Sequence, residues 1–178
     1  MKTVLEQLST YKSVHLNASN IKTHFFGIPL IIWSIAVLLT RVSFEFSLAG
    51  ITVAMTLATI VSVIVLFYYL LLSPILALWA FVLFGPVIYS AHLTVGIEYQ
   101  VYLAIAVFVG GWILQFIGHA YEKAKPAFVD DLNQLFIGPL FLIAEVYFGL
   151  GFNKELAQQV DSLANEKRAL FDQAKQIQ

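Results

Sequence analysis

The chain has 178 residues, of which 60% are hydrophobic and only 12% are charged. Soluble domains carry about 45–50% apolar and about 25% charged residues, so this composition predicts an integral membrane protein. A net charge of -1 with few basic residues argues against nucleic-acid binding, and the absence of cysteine excludes disulfides, zinc–thiolate sites, iron–sulfur clusters and thiol catalysis.

The first predicted element is a short amphipathic helix over residues 3–15. Four side chains recur along it at spacings of three and four, which puts them on one helix face: Val4, Leu8, Tyr11 and His15. We expect this helix to lie at the membrane surface or against the helical bundle.

A break follows at residues 17–20, where Asn and Ser side chains favour helix caps. We predict that Ser19 or Asn20 caps the next helix. The break matters because His15 and His24, nine residues apart on one continuous helix, would point in nearly opposite directions. Only a reversal of the chain at this break lets both imidazoles face one point.

Four apolar segments follow in the chain and are predicted to span the membrane, at about 25–40, 48–72, 74–91 and 99–118. Gly85-Pro86 is expected to kink the third. A further apolar segment, 132–152, is interrupted by Gly138-Pro139 and contains Glu145. The predicted fold is therefore an all-α membrane bundle of four spanning helices plus a broken or re-entrant fifth hydrophobic segment.

The distribution of basic residues favours a topology in which 132–152 does not cross. The N-terminal arm, the loop after residue 119 and the C-terminal tail then share one side, and only Arg41 lies opposite. We expect both termini in the cytoplasm, with the chain in the inner membrane of a bacterium or the endoplasmic reticulum of a eukaryote.

The tail, residues 153–178, is predicted to be a separate amphipathic helix that follows a membrane-embedded catalytic domain at 1–152. Its apolar seam has heptad-like spacing and is completed by Lys167 and Ala174. The seam residues are Leu156, Val160, Leu163, Leu170 and Ile177. Such a helix suits self-association of the chain or binding to the bilayer surface.

A candidate metal site follows from this topology, because His15, His24 and His119 fall at one membrane face. Nitrogen and oxygen ligands with open positions suit Fe(II), and also Zn or Mn. Glu122 follows His119 by one helical turn and is a candidate orienting group or proton acceptor. Side chains placed to fix the imidazole tautomers are Asn17, Asn20, Gln115 and Glu122.

Each of these polar residues can also be explained without a bound metal ion. A histidine at a membrane interface is commonly a hydrogen-bonding group, and Asp130-Asp131 suits the start of the helix that follows. His92 falls on the opposite side of the membrane, and we interpret it as an interfacial loop residue and not as a metal ligand. A lipid-binding or assembly protein and a small transporter using Gln115 and Glu145 therefore stay open as alternatives to an enzyme.

Two motifs resemble those of the 2-hydroxy fatty acid dioxygenase family. The first is Tyr11-x-x-x-His15-x-Asn17-x-x-Asn20-x-x-Thr23-His24-Phe25-x-Gly27-Ile28-Pro29. The second is Gln115-Phe116-Ile117-Gly118-His119-x-x-Glu122, then Lys125-Pro126-Ala127 and Asp131-x-x-Gln134-x-x-x-Gly138-Pro139. Together they cover roughly residues 11–150. Family members often carry a proline between the first histidine and the asparagine, where this chain has Leu16.

The resemblance implies an Fe(II)-dependent membrane dioxygenase that uses O₂ to shorten a 2-hydroxy fatty acid by one carbon, in α-oxidation. His15, His24 and His119 match family histidines expected to bind the iron. The acyl chain is expected to lie among the apolar helices. Candidate positive charges near the substrate carboxylate are Lys22, Lys123 and Lys125, and Asp131 is a further candidate for the surroundings of the metal or the substrate.

Overall fold

Seven helices and one β-hairpin make up a computed structural model that describes residues 2–48, 51–122, 127 and 131–176. In chain order the elements are α1 (Val4–Lys12), α2 (Ala18–Leu39), β1 (Ser43–Leu48), β2 (Ile51–Thr56), α3 (Leu57–Leu72), α4 (Pro74–His92), α5 (Gln100–Glu122), α6 (Gln134–Gly149) and α7 (Lys154–Gln176). The fold is mostly helical, in line with the predicted class.

Three of the described helices are long and apolar enough to cross a membrane, namely α2, α4 and α5. The apolar helices α3 and α6 are shorter, with 16 residues each. At 1.5 Å per residue each is about 24 Å long, less than a hydrocarbon core of about 30 Å. Of the four predicted spans, three are therefore confirmed as helices long enough to cross, and the fourth, α3, is shorter than predicted.

The predicted helix over 48–72 is wrong in its first third, where the chain forms an antiparallel hairpin. Phe44 pairs with Met55 and Phe46 with Val53, so these side chains share one face of the hairpin. Strict alternation of apolar and polar residues favours a strand over a helix. The Oγ1 of Thr56 then accepts from the N–H of Thr59 and starts α3.

The helices α2 and α5 pack closely because glycines face the partner helix. A Cβ on Gly111 would lie 2.8 Å from Cγ1 of Ile31 and 3.1 Å from the carbonyl oxygen of Gly27. A Cβ on Gly118 would overlap the side chains of Asn20 and Thr23. Small residues let two helix backbones approach in this way. This contact fixes His24 on α2 against His119 on α5.

The segment predicted to break at Gly138-Pro139 is one uninterrupted helix, α6, with Pro139 inside it. Contacts near both of its ends are with α1. Gln134 Nε2 donates to Oε1 of Gln7 at 3.1 Å, and Lys12 Nζ donates to Oε1 of Glu145 at 2.8 Å. The chain therefore remains beside α1 along the length of α6.

The C-terminal helix α7 packs along α1. Val160 and Ala164 are buried, and Lys12 of α1 forms an ion pair with Asp161 at 2.6 Å. Leu170, which the heptad spacing assigns to the same seam, is 60% exposed, and Ile177 lies outside the described residues. The packed face continues instead through Lys167 and Arg168, which bond to α1 and to the turn after it.

Candidate metal centre

The reversal between α1 and α2 brings His15 and His24 together, as the spacing requires. α1 ends at Lys12, and the N–H of His15 donates to the carbonyl of Lys12 at 2.8 Å in the turn that follows. Asn17, and not the predicted Ser19 or Asn20, caps α2, because its Oδ1 accepts from the N–H of Ser19 at 2.8 Å. The cap lies earlier because α2 begins at residue 18 and already includes the turn that carries His24.

Three histidines meet at this point of the fold. The Nε2 atoms of His15 and His24 are 3.1 Å apart, and the ring of His119 on α5 lies with its centroid 4.9 Å and 5.1 Å from theirs. One ring nitrogen from each of the three lies within 4.8 Å of the other two; His15 and His24 are each 1% exposed, and the Nδ1 of His119 is buried. Two of these rings come from the α1–α2 turn region and one from α5.

Backbone carbonyls fix the tautomers of two of these imidazoles. His15 Nδ1 lies 2.6 Å from the carbonyl oxygen of Tyr11, and His24 Nδ1 lies 2.9 Å from that of Asn20. A carbonyl only accepts, so each Nδ1 carries the hydrogen and each Nε2 presents a lone pair. The two lone pairs then face each other at 3.1 Å, an arrangement that is repulsive unless a cation lies between them.

A proton is a poor candidate for that cation. Burial, with the neighbouring His24 adding to it, holds the pKa of His15 well below its usual range, so the neutral ring is favoured at neutral pH. A metal ion fits better, since first-row metal–imidazole bonds of about 2.0–2.1 Å put adjacent ligand nitrogens roughly 3.0–3.4 Å apart. His119 Nδ1 is buried and has no hydrogen-bond partner among the described residues. The three histidines could therefore hold a metal ion.

Glu122 lies beside the histidines and is fully engaged with neighbouring donors. Its Oε2 accepts from the N–H of Asn17 at 2.8 Å and from Nδ2 of Asn20 at 3.2 Å. Its Oε1 accepts from Nη1 of Arg168 at 3.0 Å. With all three donors in place, the carboxylate holds the start of α2 to the end of α5.

Gln115 lies one helical turn before His119 and faces α2. Its Nε2 is buried and has no hydrogen-bond partner among the described residues, although the side chain lines the same cavity as the histidines. A buried donor left unpaired is unfavourable by about 1–3 kcal/mol, which makes it a candidate contact for a bound molecule.

The remaining predicted positions near the site either contact different partners or lie outside the described residues. Asp131 accepts from the N–H of Asn133 at 3.0 Å, from Nε2 of Gln134 at 3.3 Å and from Lys2 at 3.3 Å. These contacts hold the start of α6, the alternative noted for the Asp130-Asp131 pair. Lys123 and Lys125 lie outside the described residues, as does Asp130.

His92 and Glu145 are likewise engaged away from the histidine cluster. His92 Nε2 lies 2.9 Å from Oγ1 of Thr56 and 3.2 Å from Oγ1 of Thr59, so it ties α4 to the start of α3. Glu145 forms the ion pair with Lys12. These contacts explain the presence of His92 and Glu145 by the stability of the fold.

An apolar cavity of about 850 Å³ extends from the histidines between the long helices. His15, His24 and His119 line one end, together with Tyr11. Leu39, Ala58 and His92 line the other, where α2 and α4 end and α3 begins. Along α2 the distance from His24 to Leu39 is about 22 Å at 1.5 Å per residue. The cavity has the length and lining for a long acyl chain.

The sequence-based interpretation assigned no role at the site to two residues, Tyr11 and Arg168. Tyr11 stacks on His15, with ring centroids 4.0 Å apart and planes 2° from parallel, in addition to supplying its carbonyl. The four-residue spacing between them is the signal that indicated this contact. Arg168 was missed because it lies on α7, 46 residues after Glu122, and no local pattern connects the two.

Comparisons with known proteins agree with this geometry. A family described as "2-hydroxy-palmitic acid dioxygenase Mpo1-like" matches residues 1–150. The 2-hydroxy-palmitic acid dioxygenase MPO1 of Saccharomyces cerevisiae is 33% identical over 156 residues, which cover 84% of this chain and 83% of the yeast protein. No solved structure matches the chain. From the extent of both matches, the chain belongs to the Mpo1-like family of 2-hydroxy-palmitic acid dioxygenases.

Proposed function

We propose that the protein is an Fe(II)-dependent dioxygenase that shortens 2-hydroxy fatty acids by one carbon. The observation that carries this proposal is the pair of neutral imidazole nitrogens 3.1 Å apart at the end of an apolar cavity, with His119 beside them. The name of the yeast relative supports 2-hydroxypalmitate as the first substrate to test. Oxidation of such an acid by O₂ to the shorter acid, CO₂ and water balances without a further oxidant.

In this proposal His15, His24 and His119 hold the iron. Three protein ligands leave coordination positions free, as non-haem iron oxygenases require. Bound Fe(II) supplies the redox chemistry with O₂. The carbonyls of Tyr11 and Asn20 keep the Nε2 atoms of His15 and His24 available as ligands, because they hold the proton on Nδ1.

The remaining side chains bind and orient the substrate. The unpaired Nε2 of Gln115 is suited to donate a hydrogen bond to the carboxylate or the 2-hydroxyl group. The apolar walls hold the acyl chain and exclude water from the reacting end. Glu122 is a positioning residue in this proposal, because Asn17, Asn20 and Arg168 donate to it and it thereby joins α2, α5 and α7.

The proposed location follows from the same elements. The metal centre lies at the end of the bundle where α1 and α7 pack together, and the basic residues of the chain favour the cytoplasm for that end. The enzyme would therefore take 2-hydroxy acids out of the membrane with the carboxylate at the cytoplasmic surface.

The test is metal analysis and turnover of detergent-purified protein. Wild type is expected to bind one iron and to consume O₂ and 2-hydroxypalmitate in equal amounts, giving the acid one carbon shorter. His15→Ala, His24→Ala and His119→Ala are each expected to lose the iron, whereas His92→Ala retains it. Protein that binds lipid but holds no iron and gives no O₂-dependent loss of 2-hydroxypalmitate would support the non-catalytic alternative and end this proposal.

A further inference from the structure

We propose that the C-terminal helix completes the metal centre, and that Arg168 on α7 is the positioning residue through which it does so. The inference rests on the metal-binding part of the proposed function but not on the substrate or the reaction. The family match ends at residue 150, so this cation comes from beyond the matched segment.

The guanidinium of Arg168 joins the end of α5 to the turn between α1 and α2. Its Nη1 donates to Oε1 of Glu122 at 3.0 Å and to the carbonyl of Ser13 at 3.3 Å. Its Nη2 donates to the carbonyl of Glu122 at 3.3 Å. A cation at this place also complements the partial negative charge at the C-terminus of α5.

Glu122 passes this constraint on to the histidines. Its side chain is only 3% exposed, so the carboxylate needs a compensating charge, and Arg168 supplies it. The other carboxylate oxygen accepts from the N–H of Asn17, the residue that caps α2, and from the side chain of Asn20. The carbonyl of Asn20 in turn accepts from Nδ1 of His24. A continuous path of hydrogen bonds thus runs from α7 to a proposed ligand.

The helix that carries Arg168, α7, is held against α1 by hydrogen bonds from the neighbouring residue, Lys167. Lys167 Nζ donates to the hydroxyls of Ser9 and Thr10 at 3.0 Å and 2.7 Å, and to the carbonyl of Glu6 at 3.2 Å. Removal of Arg168 would leave Glu122 buried without a countercharge. The carboxylate would then turn toward solvent, and this change would release the turn that carries His15 and the cap of α2.

The test measures Co(II) affinity of the full-length protein by the visible absorption of the bound ion. Arg168→Gln is expected to weaken binding by about 10-fold, the lower end of the range for groups that hydrogen-bond a metal ligand directly, because Arg168 acts on the ligand through Glu122 and Asn20. Arg168→Lys should recover part of the lost Co(II) affinity, since lysine restores the positive charge but not the planar set of guanidinium donors. Asp172→Ala is the matched control, because it removes the Nε partner of Arg168 and leaves the contact with Glu122.

A double-mutant cycle separates positioning from general stabilisation. Glu122→Gln should weaken Co(II) binding by itself, and Arg168→Gln added to it should cause little further loss, because both act through one contact. If Arg168→Gln lowers Co(II) affinity as much in the Glu122→Gln background as in the wild type, the proposal is overturned. Arg168 would then act only by holding α7 in place. Wild-type affinity in Arg168→Gln would overturn it as well. Intact Co(II) binding without turnover would instead count against the dioxygenase function alone.

Discussion

The difference between a structural histidine and a candidate ligand is visible at single side chains. His15, His24 and His92 each place Nδ1 near the carbonyl four residues earlier, at 2.6, 2.9 and 3.0 Å. The three therefore share one tautomer. The Nε2 of His92 meets threonine hydroxyls, which can donate to it, whereas those of His15 and His24 meet each other. Only the latter pair needs a cation.

Gln115 provides a test in which stability and function move in opposite directions. Gln115→Leu removes a buried unpaired donor, so the free energy of unfolding is expected to rise by about 1 kcal/mol. It also removes the proposed hydrogen bond to the substrate, and the KM for 2-hydroxypalmitate is expected to rise about 10-fold or more, since a hydrogen bond to a charged group contributes about 1.5–3 kcal/mol.

The measurements for Gln115→Leu are denaturant titration in detergent and steady-state kinetics. Iron content serves as the control and should equal that of wild type, because Gln115 is not a ligand in the proposed site. A variant that is less stable and keeps the wild-type KM would show that the amide has a structural partner and no role in substrate binding.

At the scale of elements, the sequence predicts what depends on local spacing. The need for a chain reversal near residues 17–20 follows from the nine residues between His15 and His24, and the structure has it. The hairpin was missed because residues 48–72 form one long apolar, β-branched stretch, whose length favours a spanning helix. The alternation of Phe44 and Phe46 with polar neighbours carried the strand signal. Arg168 could not be predicted, because a heptad pattern identifies a packed face but not its partner.

Neighbouring glycines on α5 give a matched pair for the contact with α2. A Cβ on Gly111 would be 2.8 Å from Ile31, whereas a Cβ on Gly110 would have nothing within 4 Å. Gly111→Ala is expected to lower the free energy of unfolding by about 1–3 kcal/mol through overpacking. Gly110→Ala should be neutral or slightly stabilising, since alanine favours helix by about 0.5–1 kcal/mol.

Thermal unfolding in detergent and metal content together check this pair. Because α2 and α5 carry His24 and His119, the shift forced by Gly111→Ala should also weaken metal binding, while Gly110→Ala leaves it unchanged. Equal behaviour of the two variants would contradict the close approach of the helices.

The whole molecule has two distinct ends. The helices α1 and α7 lie at one end with the cluster of His15, His24 and His119. The hairpin and His92 lie at the other end. The chain contains no cysteine, so single cysteines report their side without background labelling. In oriented vesicles we expect Asn165→Cys on α7 and Glu45→Cys on β1 to react with an impermeant maleimide from opposite sides, with Asn165→Cys on the cytoplasmic side. Labelling of both from one side would refute the proposed arrangement.

The cavity connects these two ends and predicts a limit on acyl-chain length. Ala36 lines the cavity twelve residues beyond His24, about 18 Å further along α2. With C–C bonds of about 1.5 Å, an extended chain advances about 1.3 Å per carbon, so 16 carbons need about 20 Å and 12 need about 15 Å. Ala36→Phe would therefore block the last carbons of 2-hydroxypalmitate and leave room for 2-hydroxydodecanoate.

The expected result is a change of preference between the two substrates. Each buried methylene contributes about 0.8 kcal/mol, so exclusion of the last one or two carbons, which lie beyond about 18 Å, should lower kcat/KM for 2-hydroxypalmitate on the order of 10-fold, with a much smaller change for the shorter acid. Ala106→Phe, on an exposed face of α5, is the control and should keep the wild-type preference. An equal decrease in kcat/KM for both acids, with iron content preserved, would show that the acyl chain does not lie along α2. Only a chain that lies along α2 would make the effect of Ala36→Phe depend on acyl length.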